Sequence, residues 1–234
     1  MAQSDQGKRY TQARGRARRG ALLQAARSLL HQREMDEITL PMISERAEIP
    51  ASSTYHFFSD IRVLYKDLAR TIADEMSLLE PDPIQFSQWR DCVAAFMQAS
   101  ASYFNSDAAA RQLLLGPKTA PDIKQAACYE DRRFGVVLHS VLNKSYHLPQ
   151  IHDPILTCFF AIQIADTFFS LSVLEHGFIT GEMVEQATIG STSYLANYLP
   201  PILVLRECAS PLPDKTRKKR LPARTTASRV EAAS

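Results

Sequence analysis

The chain is poor in the residues and spacings that most catalytic and metal-binding proteins carry. Its 234 residues include four cysteines, Cys92, Cys128, Cys158 and Cys208, with no CxxC pair, which argues against a zinc module or a disulfide framework and fits a reducing compartment. The six histidines, His31, His56, His139, His147, His152 and His176, never take HxxxH or HExxH spacing. His147, His152 and Asp153 come nearest to a metal cluster, and a solvated loop explains them better. No GxSxG, GxGxxG or P-loop motif occurs, so no enzyme, cofactor or metal is expected. The N-terminus has charge but no apolar signal run, so nothing directs export. One long apolar run, residues 154–174, is weighed as a membrane span, but Asp166 at its middle would cost about 2.5–3.5 kcal/mol there, and Gln163 adds to that. A helix buried among other helices of a cytoplasmic protein is the expectation.

What is present is a globular composition, 45% apolar, with an uneven charge distribution. The formal net charge is +2, yet residues 1–20 hold six basic side chains (Lys8, Arg9, Arg14, Arg16, Arg18, Arg19) against Asp5. Residues 210–234 hold seven basic side chains against Asp214 and Glu231. Each end is therefore +5, which leaves residues 21–209 at −8. The apolar spacing throughout is helical, and no strand-like alternation is sustained. The pattern predicts an all-α fold of about nine helices, near 16–33, 39–47, 51–57, 59–80, 83–104, 107–115, 121–143, 153–175 and 180–198. Thr39 and the Ser59-Asp60 pair are placed to cap the second and fourth helices. Pro81-Asp82-Pro83 ends the fourth and marks a domain boundary.

Residues 38–58 carry the most information. A short amphipathic helix with Met42, Ile43 and Ala47 inward, a turn at Glu48-Ile49-Pro50 and a second short helix ending in aromatics read as a helix-turn-helix, the shape that presents one helix to a DNA major groove. From Leu22 to Leu68 the chain also resembles, without a gap, the N-terminal domain of the TetR family of transcription regulators. The likeness rests on Ala25-Ala26 with Leu29-Leu30 in the first helix, Thr39 opening the second, and Tyr55-His56-Phe57-Phe58 closing the third. Outside that domain it is weaker, consisting of helix lengths and the Arg111–Gly116 stretch.

The resemblance implies a homodimer on an inverted-repeat operator of double-stranded DNA. It places contacts at Thr39, Ala51, Ser52, Ser53, Tyr55 and His56. Where the family has a phosphate-binding Lys this chain has Ile61, leaving Arg62 and Lys66 as substitutes. Glu34 and Glu48 stand where the family has glycines, positions that take a left-handed backbone at a cost of about 1 kcal/mol for other residues. Pro50 replaces the usual capping Ser or Thr. Between Ala21 and Lys66 five basic side chains face six acidic ones, so phosphate neutralisation is expected from Arg16, Arg18 and Arg19 in a basic arm.

The domain reading is a flexible basic arm over 1–20, the helix-turn-helix domain over 21–66, an effector-binding and dimerisation domain over 67–209, and a disordered basic tail over 210–234. Helical spacing sets Trp89, Phe96, Ser100 and Tyr103 on one stripe and Phe134 and Leu138 on another, with Gln163 and Thr167 adding polar groups, as a pocket for a small hydrophobic or aromatic effector would need. The same residues also fit a plain core. The run 153–175, apolar nearly all round, needs cover on every side. With 180–198 it is expected to form a dimer interface through Phe169, Val173, Ser191, Tyr194 and Tyr198. Asp166 must find a partner, an interface hydrogen bond ahead of a cationic ligand. The function expected is that of a ligand-responsive repressor. Two other readings stay open, an architectural DNA-binding protein of the same fold without effector and a helical carrier or enzyme.

Overall fold

The computed structural model describes residues 2–78, 86–129 and 132–206, with side chains from residue 12 onward except those of 128 and 129. The predicted boundary at Pro81–Pro83 and the predicted tail over 210–234 lie outside the described residues. Ten α-helical segments occur among them: α1 Ala2–Leu30, α2 Leu40–Arg46, α3 Ala51–Phe57, α4 Ile61–Ser77, α5 Trp89–Ser106, α6 Ala108–Ala110, α7 Pro121–Lys124, α8 Arg133–Ser145, α9 Pro154–His176 and α10 Gly181–Leu195. Both α6 and α7 run on into wider π-helical turns, Arg111–Leu115 and Gln125–Tyr129.

The first helix is longer than its apolar periodicity suggests. It begins at Ala2, so residues 2–20 have a helical backbone where a flexible arm was expected. The physical reason is continuity. No proline precedes Pro41, the segment is rich in Gln, Arg, Lys and Ala, and the packed turns from Leu22 onward supply the nucleus that a short helix lacks by itself. Leu22, Ala26 and Leu30 of α1, Ile43 of α2, Phe58 after α3, and Leu64 and Leu68 of α4 form the head's core, none more than 1% exposed.

Each turn of the head has its own local cause. Asp60 caps α4 by accepting from the Val63 amide at 3.0 Å. Thr39 precedes α2 as expected, but its side chain makes no capping bond. Glu48 takes the left-handed backbone anticipated for it, with φ of +54°. Glu34 does not: its φ of −71° and ψ of 149° are extended, because it caps a short 3-10 turn, Met35–Glu37, whose Glu37 carboxylate accepts from the Glu34 amide.

In the second domain α9 packs between α8 and α10, with α5 alongside α8 and α10. Two glycines permit the crossing. A Cβ on Gly135 would lie 2.5 Å from the Ile155 carbonyl, and one on Gly190 would lie 2.8 Å from Ile164 Cγ2. Ser191 then donates to the Ala161 carbonyl at 2.8 Å, closing α10 on α9. Helix α9 is long and apolar enough to cross a membrane, the only such helix among the described residues, and it is accommodated here by its neighbours.

The expected single helix over 121–143 is two. Its apolar positions, Ile123, Ala127, Phe134 and Leu138, keep helical spacing through the break, so the pattern carries no sign of it. Packing imposes the interruption. The turn after α7 lies on α4, where Arg70 donates to the Ala126 carbonyl at 3.2 Å, and Arg132 enters α8 with a left-handed φ of 49°.

Candidate functional site

The first candidate surface is the outer face of the head. Ala51, Ser52, Tyr55 and His56 of α3 are exposed, as is Thr39 before α2, while Ser53 is half-buried. Their backbone is fixed from beneath. Ser44 Oγ donates to Thr54 Oγ1 at 2.8 Å and shares itself with the Leu40 carbonyl, so a buried polar pair sets the α2–α3 crossing. Phe57 and Phe58 point the other way, into the core.

The basic residues assigned to this face divide into two groups. Arg16 and Arg18 are exposed on α1 and make no hydrogen bond or ion pair with other described residues. Arg19, grouped with them from sequence, pairs instead with Asp67 of α4 and lies over the Phe58 ring with its guanidinium carbon 5.3 Å from the centroid. Arg62 and Lys66 both reach Asp122 of α7 at 2.8 Å. Together they hold that carboxyl down to about 2, chiefly through the hydrogen bond from Lys66. These three cations fasten the head to itself and to the second domain, a role that charge counting along the sequence does not show.

Much of the polar part of the junction between the domains lies on the segment 103–119. Arg27 donates to Asp107 at 2.9 Å and Glu75 at 2.9 Å, and to the Tyr103 hydroxyl at 3.2 Å. Asp107 also receives His31 at 3.1 Å and caps α6 through the Ala109 and Ala110 amides. Burial alone would raise the Asp107 carboxyl, but Arg27, the Ala110 amide and His31 together hold it below the usual carboxylate range. Gln112 is the hub of the other half. Its Nε2 donates to the Leu30 and Arg33 carbonyls at 2.8 and 2.9 Å, and its Oε1 accepts from the Met35 amide at 2.8 Å. Lys118 adds Asp36 at 3.0 Å and Glu34 at 3.5 Å.

The same segment presents Leu114 and Leu115 to a cavity in the second domain. The cavity measures about 30 Å³, and its other walls come from Met76 of α4, from Phe96, Met97, Ser100 and Phe104 of α5, from Phe134 of α8, and from Ile162, Ala165, Asp166 and Phe169 of α9. Of the predicted pocket residues, Phe96, Ser100 and Phe134 therefore come together here. The others do not. Trp89 is buried at the far end of α5, donating to the Pro200 carbonyl at 2.9 Å. Tyr103 belongs to the junction, and Leu138 to the closed core. Gln163 lies outside the lining with a buried, unpartnered Nε2, and Thr167 is exposed with its hydroxyl on the Gln163 carbonyl. The missed α9 residues follow an i, i+3, i+4, i+7 stripe, 162-165-166-169, that was readable but lost in a helix apolar on all faces.

Asp166 is half-buried and lines this cavity. It accepts no hydrogen bond and joins no ion pair among the described residues. Burial raises its carboxyl to about 7, opposed only by the distant charge of Lys124. Cys92 and Cys158 are also pushed up by burial, to about 11 and about 12, and are held as unreactive thiols.

The outer face of α9 and α10 leaves Phe160, Leu171, Leu174, Ile189 and Tyr198 between 41% and 60% exposed. Tyr198 and the half-buried Tyr194 belong to this face, joined at 3.4 Å through their hydroxyls, with Phe160 edge-on to Tyr194. The remaining predicted interface residues do not belong to it. Phe169 lines the cavity, Val173 lines a groove beside residues 30–37, and Ser191 is buried against Ala161. In a helix covered on most sides, composition does not reveal which stripe stays outside.

No protein-family model and no curated protein matches the chain. Solved structures do match. A TetR-family transcriptional regulator from Streptomyces coelicolor superposes with a TM-score of 0.60 at 17% identity, over 78% of this chain and 98% of that one. A TetR transcriptional regulator from Rhodococcus sp. RHA1 gives 0.60 at 14% identity, over 78% and 97%. RolR in complex with its ligand resorcinol gives 0.56 at 14% identity, over 80% and 89%. The chain thus has the fold of TetR-family regulators: a helix-turn-helix head on an all-helical second domain.

Proposed function

We propose that this protein is a homodimeric, effector-responsive transcription regulator, a repressor that leaves an inverted-repeat operator when a small, largely apolar molecule enters the α5–α9 cavity. The observation that carries the reading is a physical connection. The segment 103–119 lines the cavity with Leu114 and Leu115 and, within the same turn, holds the end of α1 through Gln112. A ligand that pushes this turn outward must break or drag those bonds, and only the conformation with the wall displaced accommodates it. Such differential affinity is what shifts a two-state population.

On the DNA side, Ala51, Ser52, Tyr55 and His56 would meet base edges and phosphates. Without an Arg or Lys able to grip guanine, recognition relies on duplex shape. Arg16 and Arg18, on a helix that runs past the head, would supply phosphate neutralisation to a head in which Arg19, Arg62 and Lys66 are engaged. Phe160, Leu171, Leu174, Ile189, Tyr194 and Tyr198 would be covered by a second copy, setting the two recognition helices about 34–36 Å apart.

Selection of random duplexes by the purified chain tests this. An inverted repeat with half-sites one or more whole helical turns apart is expected, bound more weakly as salt rises. No enrichment in dilute buffer, or a monomer in sedimentation, would overturn it. The small cavity volume favours one rival, an effector-free DNA-binding protein. That rival predicts no stabilisation by any apolar compound and binding to many unrelated duplexes.

A further inference from the structure

The cavity contains one feature that its apolar walls do not explain. Four phenylalanines, Phe96, Phe104, Phe134 and Phe169, line it together with a half-buried carboxylate, Asp166, that has no hydrogen-bond donor and no ion-pair partner among the described residues. Ser100 is the only other polar side chain in the wall among the described residues, and its hydroxyl is already donated to the Phe96 carbonyl at 2.9 Å. An acidic group in so apolar a setting is costly unless something pairs with it. Elsewhere in this protein embedded carboxylates are paired, as Asp107 is by Arg27 and His31. Among the described residues the Asp166 carboxylate lacks a positive charge, and a cation held among phenylalanines is also attracted by the ring quadrupoles wherever it meets their faces.

We infer that the α5–α9 cavity is a site for an organic cation, a hydrophobic amine or quaternary ammonium compound whose charge is met by Asp166 and whose apolar body lies among the phenylalanines. The inference rests on the effector reading above and specifies its chemistry. A neutral phenol or ketone is less well served by the site, because it would leave the carboxylate uncompensated or would bind only its protonated form. At about 30 Å³ the cavity has room for little more than a water molecule, so the cation enters by moving the wall. Met76 and Met97, the adaptable side chains there, and the Leu114-Leu115 turn are what can move.

The test uses the full chain and two probes of nearly equal shape, benzyltrimethylammonium and its uncharged isostere neopentylbenzene, titrated calorimetrically at pH 8. The cation is expected to bind at least tenfold more tightly than the isostere. Asp166→Asn should lose at least tenfold for the cation while keeping or improving the isostere, with Phe134→Leu weakening the cation several-fold. At pH 7 the bound cation should also expel part of a proton from Asp166, seen as a heat that changes with the ionisation enthalpy of the buffer. Asn is close to Asp in shape and removes a half-buried charge, so the variant folds, which thermal unfolding verifies.

Equal binding of the cation by wild type and Asp166→Asn would overturn the inference, as would preference for the isostere or binding of neither probe. Adding a selected duplex separates this outcome from the parent reading. An isostere that binds and releases DNA leaves the effector reading intact and removes the cation. A cation that binds through Asp166 without touching DNA affinity keeps the cation site and removes the effector role.

Discussion

Two carboxylates, Asp107 at the domain junction and Asp166 in the cavity, lie in the same domain, and their surroundings drive them in opposite directions. Asp107 is clasped by Arg27, His31 and two helix amides and is held below its ordinary range. Asp166 has no partner among the described residues and rises to about 7. The junction is therefore a region whose charges are matched within the chain, and it fixes one arrangement of head and body. The cavity is a region whose charge is unmatched among the described residues, and its lowest-energy state depends on what enters or on whether a proton is held.

The largest way to break this contrast is to leave Asp107 without its arginine, with only His31 and two amides on it. Arg27→Ala removes the donor to Glu75, Asp107 and Tyr103 together and leaves a carboxylate whose side chain is only 8% exposed. Breaking a buried pair from one side costs about 3–5 kcal/mol in full burial, and we expect about 3 kcal/mol here because the guanidinium retains some solvent. Urea unfolding at neutral pH measures it. A loss below 1 kcal/mol would mean that the junction is held by its apolar contacts.

Next in size is the pH dependence of stability, where the two groups have opposite signs. Asp107, depressed in the folded state, contributes stability above its unfolded value near 3.9 that is lost as pH falls through the folded value. Asp166, raised in the folded state, favours folding while protonated, and that contribution declines as pH rises from about 4 to about 7. Asp166→Asn should remove the decline, so that the variant is about 2 kcal/mol more stable than wild type at pH 8 and nearly equal to it at pH 4. Thermal unfolding across that range reads both limbs. Parallel curves for the two proteins would show that the carboxyl is already paired in solution.

Gln112 comes third. Gln112→Ala leaves the Met35 amide and two carbonyls to find water, at a cost of about 1–2 kcal/mol. Its sharper signature is functional. DNA affinity without effector should change little, while the ratio of affinities with and without effector should shrink towards one. An unchanged ratio would place the coupling elsewhere, with Arg27 the next element to test.

The head was legible from sequence because its features are local. The Ala25-Ala26 pair, the Asp60 cap, the strained Glu48 turn and the buried Phe58 each follow from spacing within a few residues. The all-helical character was legible for the same reason. What could not be read is non-local. Arg19, Arg62 and Lys66 look like phosphate ligands until Asp67 and Asp122 are brought beside them from elsewhere in the fold. The break between α7 and α8 is made by packing on α4 and leaves the apolar period undisturbed. On α9, hydrophobicity is so evenly spread that Phe169 was assigned outward and Asp166 to the interface, whereas the fold turns both inward.

The smallest expected effect tests what the paired cations do in the presence of DNA. The Asp122 side chain is 34% exposed and its pairs lie at the surface, so releasing Arg62 and Lys66 from it by Asp122→Asn should change stability little, as surface ion pairs contribute little. Both cations sit near the N-terminus of α4, beside the recognition helix, and once released they can turn to phosphate. Each added phosphate contact steepens the dependence of log K on log salt by a little under one, so the variant should bind duplex more tightly at low salt, with a slope up to about two steeper. The effector-induced release should weaken at the same time, because the Asp122 links are one of the routes by which the second domain holds the head. An unchanged salt slope in anisotropy titrations would mean that Arg62 and Lys66 already leave Asp122 when DNA arrives, and that their pairing belongs only to the free protein.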